Sequence, residues 1–130
     1  MKKRIGVIGI GIGGSYGARI HKNPHSELVA ICSRSIEKLE KRKKAYQDEI
    51  GANPQIYTEV DEMFSKANLD AVVIATPSST HHEMAIKAIL AGVSVLVDKP
   101  VDINLENIVK IKKALVGSKV KFGVIYPMRF

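Results

Sequence analysis

The chain has 130 residues, of which 45% are hydrophobic and 25% are charged, a composition typical of one soluble globular domain. Its formal net charge of +7 attracts anions, but the aromatic content of 5% and the lack of a nucleic-acid-binding motif predict no nucleic-acid partner. No apolar run approaches the roughly 18 residues of a membrane span, and the single cysteine, Cys32, cannot close an intrachain disulfide, which together predict a cytoplasmic protein without a membrane partner.

The first residues allow a second interpretation, a secretory leader. Residues 1–4 (MKKR) are basic, and residues 5–12 are apolar or glycine. However, three of those eight residues are glycine, which makes a poor helix, and the following SYGARIHK lacks an A-x-A cleavage site. We therefore interpret residues 5–12 as a strand followed by a loop.

Short apolar runs alternate with helix-like segments along the whole chain. Several runs lack polar alternation, as strands do when helices cover both of their faces. We predict strands at 4–9, 27–32, 55–57, 70–75, 93–98 and 120–125, and helices at 14–22, 35–50, 59–67, 80–91 and 104–116. This alternation predicts one α/β domain with a doubly wound parallel sheet of about six strands.

Several residues mark predicted helix ends. Ser35 and Asn104 can cap the second and fifth helices. Thr80 and Glu83 have the spacing of a capping box, which predicts that the fourth helix begins at Thr80, and Gly92 predicts its end.

The loop after the first strand contains the pattern G-x-G-x-x-G. Gly9 permits a tight turn, Gly11 lets the backbone approach a pyrophosphate, and Gly14 lets the helix pack tightly against the strand. Ile12 and Gly13 complete a loop whose helix N-terminus favours negative phosphates. Because the pattern follows a strand and opens a helix, it predicts a Rossmann-type dinucleotide-binding site.

The end of the second strand decides which dinucleotide is preferred. This position usually carries an acid that binds the adenosine ribose, but here it reads Cys32-Ser33-Arg34-Ser35. A serine hydroxyl and an arginine bind a 2′-phosphate that a carboxylate would repel, so NADP(H) is favoured over NAD(H). Lys38, one turn into the helix, is the next candidate for this phosphate. The alternative is that the two serines are turn and cap residues and the arginine points to solvent.

The second helix also carries a basic run, KRKK, at residues 41–44. Apolar residues mark the opposite, buried side of this helix: Ile36, Leu39, Tyr46 and Ile50. We interpret most of the run as a solvated face rather than as a nucleic-acid site.

Three further motifs identify a family. Residues 70–92, DAVVIATPSSTHHEMAIKAILAG, are similar to the pattern D-x-V-x-x-x-T-P-x-x-x-H and the helix that follows it. Residues 93–100, VSVLVDKP, are similar to h-V-x-x-E-K-P, and residues 123–130, GVIYPMRF, to a final strand with an R-F exit. With the glycine loop, these motifs resemble the N-terminal domain of the glucose–fructose oxidoreductase and inositol dehydrogenase family (Gfo/Idh/MocA), over essentially all 130 residues.

The resemblance implies roles for residues after the fourth and fifth strands. Thr76 and Pro77 are expected to line the ribose and nicotinamide side of the cofactor, with Ser78 and His81 close by. Both loops follow carboxyl ends of strands, where ligands of open α/β sheets bind.

The resemblance also implies that Lys99 is the catalytic lysine beside the nicotinamide, donating a hydrogen bond to the reacting oxygen, while Pro100 fixes the backbone. Without the other motifs, a surface lysine before a proline would be the simpler interpretation. Asp98 stands where the family usually has glutamate, one methylene longer. Gly17, with Tyr16 beside it, stands where the family often has histidine.

Enzymes of this family have a second, larger α/β domain that shapes the substrate pocket. We expect residues 1–124 to form the nucleotide-binding domain and residues 125–130 to begin the connection to that domain, which is absent here. The resemblance implies an oxidoreductase acting on a small sugar, cyclitol or related carbinol or carbonyl, inactive as this chain alone and open to homo-oligomer formation. The alternative is a non-catalytic dinucleotide-binding sensor or regulatory module, which would not need Lys99.

No other residues suggest a catalytic set, and we predict no metal site. His81 and His82 are sequence neighbours that point in different directions from a helix start, and an Asn-Pro pair separates His21 from His25. Cys32 has no evident base partner and is expected to be a packed residue.

Overall fold

A computed structural model describes residues 2–11, 13–98 and 104–125 of the chain. Its strands are β1 (Lys3–Ile8), β2 (Ser26–Cys32), β3 (Gln55–Tyr57), β4 (Ala71–Ile74), β5 (Ser94–Asp98) and β6 (Phe122–Ile125). Its helices are α1 (Gly13–Lys22), α2 (Ile36–Ile50), α3 (Val60–Lys66), α4 (His81–Leu90) and α5 (Leu105–Leu115), with a 3₁₀ turn at Ser78–Thr80. Each predicted strand and helix is present with bounds within two residues of those expected. Within the described ranges, no helix has both the length and the apolar character that crossing a membrane requires.

The strands form one parallel sheet in the order β3-β2-β1-β4-β5-β6. The chain runs outward from β1 to β3 and then returns to the other side of β1 at β4, so the predicted doubly wound α/β fold is confirmed. The carboxyl ends of all strands therefore lie at one edge of the sheet. A ligand crevice is expected where the strand order reverses, between β1 and β4.

Two hydrophobic clusters cover the two faces of the sheet. Val7 and Val73 point to one face, where they pack with residues of α1 and α2. Ile8 and Ile74 point to the other face, where they pack with residues of α3, α4 and α5. Because the central strands are buried on both faces, they read as continuous apolar runs in the sequence.

Two predicted helix caps are confirmed. The Ser35 hydroxyl accepts a hydrogen bond from the backbone N–H of Lys38 at 3.3 Å, and the Asn104 side chain accepts one from the N–H of Glu106 at 2.8 Å. Both satisfy N–H groups that a helix start leaves without an intrahelical partner.

The predicted capping box of the fourth helix is wrong. Thr80 precedes α4 as expected, but its side chain makes no cap hydrogen bond. Its Oγ1 lies 2.8 Å from both Thr76 Oγ1 and the carbonyl oxygen of Pro77 instead. The hydroxyl therefore closes the loop between β4 and α4, and the first turn of this segment is a 3₁₀ turn.

Helices α1 and α2 lie close together because α1 turns glycines toward α2. The Tyr46 hydroxyl donates a buried hydrogen bond of 2.8 Å to the carbonyl oxygen of Gly14. A Cβ atom on Gly17 would collide with this same hydroxyl and would lie 3.2 Å from Leu28 Cδ2. Absence of a side chain at position 17 thus sets how closely α2 approaches the start of α1.

We predict that Gly17→Ala destabilises the fold by about 1–2 kcal/mol. Alanine gains about 1 kcal/mol in helix propensity, but overpacking against a buried hydroxyl typically costs 1–3 kcal/mol and more where the contact is this close. Urea denaturation of the variant and the wild type measures the difference. The matched test is Gly17→Ala combined with Tyr46→Phe, which removes the obstructing oxygen and should recover part of the loss. A Gly17→Ala chain more stable than wild type would contradict the packing argument.

Candidate dinucleotide-binding site

The glycine loop is held between the ends of two neighbouring strands. The N–H of Gly9 donates to the carbonyl oxygen of Cys32 at 2.9 Å, which ties the loop to β2. On the β4 side, a Cβ on Gly9 would lie 2.7 Å from the carbonyl oxygen of Ala75. Gly9 also has a φ of 90°, which residues with side chains rarely adopt. The first glycine of the motif is therefore required by both backbone conformation and space.

Gly11 faces open space, in contrast to Gly9. It is exposed, and a Cβ built on it would meet no other atom within 4 Å. The loop then turns into α1 at Gly13, and the N–H of Gly14 donates to the carbonyl oxygen of Gly11 at 3.2 Å. Backbone at an exposed glycine before a helix N-terminus is what close approach of a pyrophosphate needs, so these residues fit a dinucleotide. Ile12 lies outside the described residues.

Two cations near the end of β2 are exposed to solvent. Arg34 and Lys38 are exposed, whereas Ser33 is half-buried. The Ser33 hydroxyl accepts a long hydrogen bond of 3.4 Å from the N–H of Ser35, whose own hydroxyl caps α2. Ser35 therefore caps α2, which both the cap prediction and the alternative interpretation of this segment expected. Phosphate binding by Ser33, Arg34 and Lys38 stays a prediction.

Cys32 is a packed residue, as expected, rather than a reactive thiol. It is 2% exposed, and burial, together with the charge of Glu59, raises its pKa to about 11. The thiol is therefore protonated at neutral pH and a poor nucleophile. Because the folded pKa exceeds the ordinary value of 9.0, this group adds stability below pH 9 that is lost as the pH rises toward 11.

The loop after β4 is shaped from inside by a histidine. The His81 ring is 2% exposed, and its Nε2 lies 2.6 Å from the carbonyl oxygen of Thr76, so Nε2 carries the hydrogen and donates. Thr76 is half-buried and Pro77 is exposed at the carboxyl edge of the sheet; Ser78 begins the 3₁₀ turn. The histidine therefore supports the backbone of this loop, and contact of these residues with a cofactor stays a prediction.

Asp98 ends β5 and meets a side chain from α1. The Tyr16 phenol lies close enough to the Asp98 carboxylate for the two groups to interact. Burial first, and then the charge and hydrogen bond of Asp98, raise the pKa of Tyr16 above its ordinary value of 10.0, while Arg19 opposes the shift. Asp98 thus has a partner that sequence reasoning did not assign to it. Lys99 and Pro100 lie outside the described residues.

Sequence reasoning also missed Arg42, which it placed in a solvated basic run. Arg42 is half-buried, and its Nη2 lies 3.5 Å from the carbonyl oxygen of Ile10 within the glycine loop. A Cβ on Gly14 would lie 2.6 Å from Arg42 Cζ, so the third glycine of the motif makes room for this guanidinium. Helical spacing could have predicted the position of Arg42, because it lies four residues before the buried Tyr46 and shares its face of the helix.

The described residues contain no group of three or more His, Cys, Asp or Glu side chains that could hold a metal ion. Around the glycine loop and the end of β2, the described residues present backbone N–H groups, hydroxyl groups and cations. Such groups suit phosphates and ribose hydroxyls.

Comparison with known proteins agrees with this geometry. The family model GFO_IDH_MocA, described as an oxidoreductase family with an NAD-binding Rossmann fold, matches residues 3–126. Inositol 2-dehydrogenase of Rhizobium meliloti is 29% identical over 131 residues, which cover all of this chain and 38% of that protein.

Solved structures show the same fold. Scyllo-inositol dehydrogenase from Lactobacillus casei, with bound NAD(H) and scyllo-inositol, superposes with a TM-score of 0.84 at 27% identity, over 95% of this chain and 36% of that one. The WlbA dehydrogenase from Bordetella pertussis, in complex with NADH and UDP-GlcNAcA, gives a TM-score of 0.79 at 28% identity, over 95% and 35%. The chain thus spans less than two fifths of the length of these relatives.

We predict that Asp98→Asn lowers the pKa of the Tyr16 phenol, because the amide keeps a hydrogen-bond partner but removes the negative charge. Tyrosine absorbance near 295 nm, followed from pH 8 to 13, reports ionisation, and the chain has four tyrosines and no tryptophan. Subtracting the curve of Tyr16→Phe isolates the Tyr16 contribution.

The same pair has a consequence for stability. Since the folded pKa of Tyr16 lies above 10.0, its contribution is complete below pH 10 and is lost as the pH rises through the folded pKa. Asp98→Asn should reduce this alkaline loss. An unchanged Tyr16 titration in Asp98→Asn would show that the two side chains are not coupled.

Proposed function

We propose a function for this chain from the premise that it belongs to the Gfo/Idh/MocA oxidoreductase family, as the NAD-binding Rossmann domain of that family. We propose that residues 1–124 bind NADP(H) for hydride transfer between the nicotinamide and a carbinol or carbonyl carbon of a sugar or cyclitol. One observation carries the proposal: Gly9 is packed against Ala75 where the strand order reverses, which joins the glycine loop to the β4–α4 loop.

Different residues of the crevice are assigned to different parts of the cofactor. When bound, the nicotinamide ring accepts or donates the hydride. The open face of Gly11 and the start of α1 suit the pyrophosphate, while Thr76 and Pro77 lie on the side of β1 that leads to β5. We assign Thr76 and Pro77 to the ribose and nicotinamide half, with Ser78 and His81 close by.

The preference for NADP(H) rests on the charges at the end of β2. Arg34 and Lys38 are exposed cations at the start of α2, and the two residues after Cys32 offer no carboxylate to a ribose. The carboxylate of Glu59 opposes these two cations. Cys32 and Tyr57 are paired at the ends of β2 and β3, and Arg34 and Glu59 each lie two residues beyond them. Glu37 in the first turn of α2 is a second carboxylate, so the proposal rests on the charge-assisted hydrogen bonds that the Arg34 guanidinium can make with a 2′-phosphate.

Lys99 is the catalytic residue of the proposal, by its match to the family motif. We assign it a hydrogen bond to the reacting oxygen and a part in removing the hydroxyl proton, while Pro100 restricts the preceding backbone. Asp98 and its partner Tyr16 are proposed to set the position of the backbone that leads to Lys99.

The substrate class follows the relatives. An inositol dehydrogenase in sequence and a scyllo-inositol complex in structure both support a polyol of the cyclitol type. More than half of each relative has no counterpart here, so recognition of the substrate and assembly as a homo-oligomer are assigned to no residue of this chain. We also propose a cytoplasmic location, which the single buried cysteine supports.

Paired titrations with NADPH and NADH, followed by nicotinamide fluorescence at fixed ionic strength, test the cofactor. We expect tighter binding of NADPH. Arg34→Ala should weaken NADPH about tenfold, the loss of roughly one charge-assisted hydrogen bond, and change NADH by less than about twofold. The matched control is Arg19→Ala, which removes the same charge from an exposed position on α1.

Glu59→Gln should tighten NADPH further, because it removes the opposing carboxylate. Equal or tighter binding of NADH by the wild type would keep the dinucleotide site and remove the NADP(H) preference. Failure to bind either nucleotide would overturn cofactor binding by this chain.

The position of Lys99 can be tested without turnover. Oxidised nicotinamide is a cation and reduced nicotinamide is neutral, so a lysine beside the ring disfavours the oxidised form. We predict that Lys99→Met lowers the ratio of the Kd for NADP⁺ to the Kd for NADPH by about threefold to tenfold, the effect of one partly screened like charge. Lys38→Met, a cation assigned to the other end of the cofactor, serves as control and should leave the ratio unchanged. An unchanged ratio in Lys99→Met would place Lys99 away from the nicotinamide.

A further inference from the structure

We propose that Arg42 of α2 binds the pyrophosphate of the dinucleotide, as a cation that reaches the glycine loop from the neighbouring helix. This inference rests on the proposed function, because it assigns a further binding residue to the same site. It concerns the phosphates that NAD(H) and NADP(H) share, and not the 2′-phosphate assigned to Arg34 and Lys38.

The guanidinium of Arg42 lies directly against the loop. Its Nη2 is 3.5 Å from the carbonyl oxygen of Ile10, and its Cζ would be 2.6 Å from a Cβ on Gly14. Ile10 and Gly14 lie on either side of Gly11, the residue whose open face suits the pyrophosphate. The cation thus borders the stretch of backbone where phosphate oxygens are expected.

Neighbouring side chains hold Arg42 in this position. Its Cζ lies 5.7 Å from the ring centroid of Tyr46, close enough for a cation–π contact. Tyr46 is itself fixed by the hydrogen bond from its hydroxyl to the carbonyl oxygen of Gly14. The guanidinium is therefore preorganised at the loop, and ordering it on binding costs little further entropy.

Most hydrogen-bonding capacity of Arg42 remains for a ligand. A guanidinium has five N–H donors, and within the part of the chain that the structure describes a single long contact of 3.5 Å uses one of them. Among the described residues, ion pairs join Lys66 to Glu62 and Lys87 to Asp61, and none involves Arg42. A half-buried cation with no carboxylate partner among the described residues is best satisfied by an anion, and the pyrophosphate brings two negative charges to this loop.

Two lysines of the basic run, Lys41 and Lys44, are exposed, unlike Arg42. Lys44→Met therefore provides a matched control, because it removes the same charge from the same helix at a position exposed to solvent.

The test measures Kd values for NADH, NADPH and ADP-ribose with Arg42→Met, Arg42→Lys and Lys44→Met chains. We expect Arg42→Met to weaken all three ligands about tenfold, Arg42→Lys to recover part of the loss, and Lys44→Met to change each Kd by about twofold or less. The dependence of Kd on ionic strength should become flatter in Arg42→Met, because one cation no longer contributes. A purely structural role would not change that dependence.

A second measurement uses the wild-type chain and so does not depend on folding of a variant. Phenylglyoxal modifies arginine side chains, and mass spectrometry locates the modified residues. NADH should protect Arg42 and leave the exposed Arg19 reactive.

The outcomes separate the two proposals. Failure of the wild type to bind any of the three ligands overturns the proposed cofactor site, and this inference with it. Wild-type binding together with unchanged binding by Arg42→Met, or with Arg42 modified equally in the presence of NADH, overturns the role of Arg42 alone. Weaker binding with an unchanged salt dependence and no recovery in Arg42→Lys also overturns it, and makes Arg42 a structural residue.

Discussion

The pairing of β1 with β2 on one side and β4 on the other is the constraint on which the site depends. Ile8 is the partner of both Cys32 and Ile74, so the three strands end at the same level. Gly9, Ser33 and Ala75, the residues that follow, are therefore brought side by side from distant parts of the sequence. A shift in this register would separate the glycine loop from the β4–α4 loop and turn the core side chains to the wrong faces.

The second determinant is the close contact between α1 and α2. Glycines at positions 14 and 17 allow Tyr46 and Arg42 to lie against the start of α1, so two glycines beyond the phosphate turn serve helix packing. The atoms nearest to a Cβ at the third glycine of the motif would all belong to the Arg42 guanidinium, a neighbour that the sequence did not predict. Packing and electrostatics are coupled here, because the same small residues that fix the helices also place a cation at the loop.

Charge is distributed unevenly along the crevice. Arg34 and Lys38 are exposed near the end of β2, and Arg42 lies at the glycine loop. The β5 side carries Asp98, whose carboxylate, after burial, contributes to the raised pKa of the Tyr16 phenol. Cations beside the glycine loop and the end of β2 match the anionic phosphates of a dinucleotide. Part of the formal net charge of +7 is thus located beside the glycine loop and the end of β2.

The sequence by itself determined the strands, the helices, their parallel winding and the glycine loop, because these follow from short-range apolar patterns, caps and spacing. It also located the Ser35 and Asn104 caps, whose partners lie within three residues. Only the tertiary structure decided that Arg42 reaches Ile10, that Tyr16 reaches Asp98, and that Thr80 bonds backward to its loop. Contacts between residues that are far apart in sequence depend on the register of the sheet and the distance between helices, and no local pattern encodes either. Thr80 lies near its partners in sequence, but its hydroxyl meets Thr76 and Pro77 within a loop whose backbone the buried His81 holds through the carbonyl oxygen of Thr76.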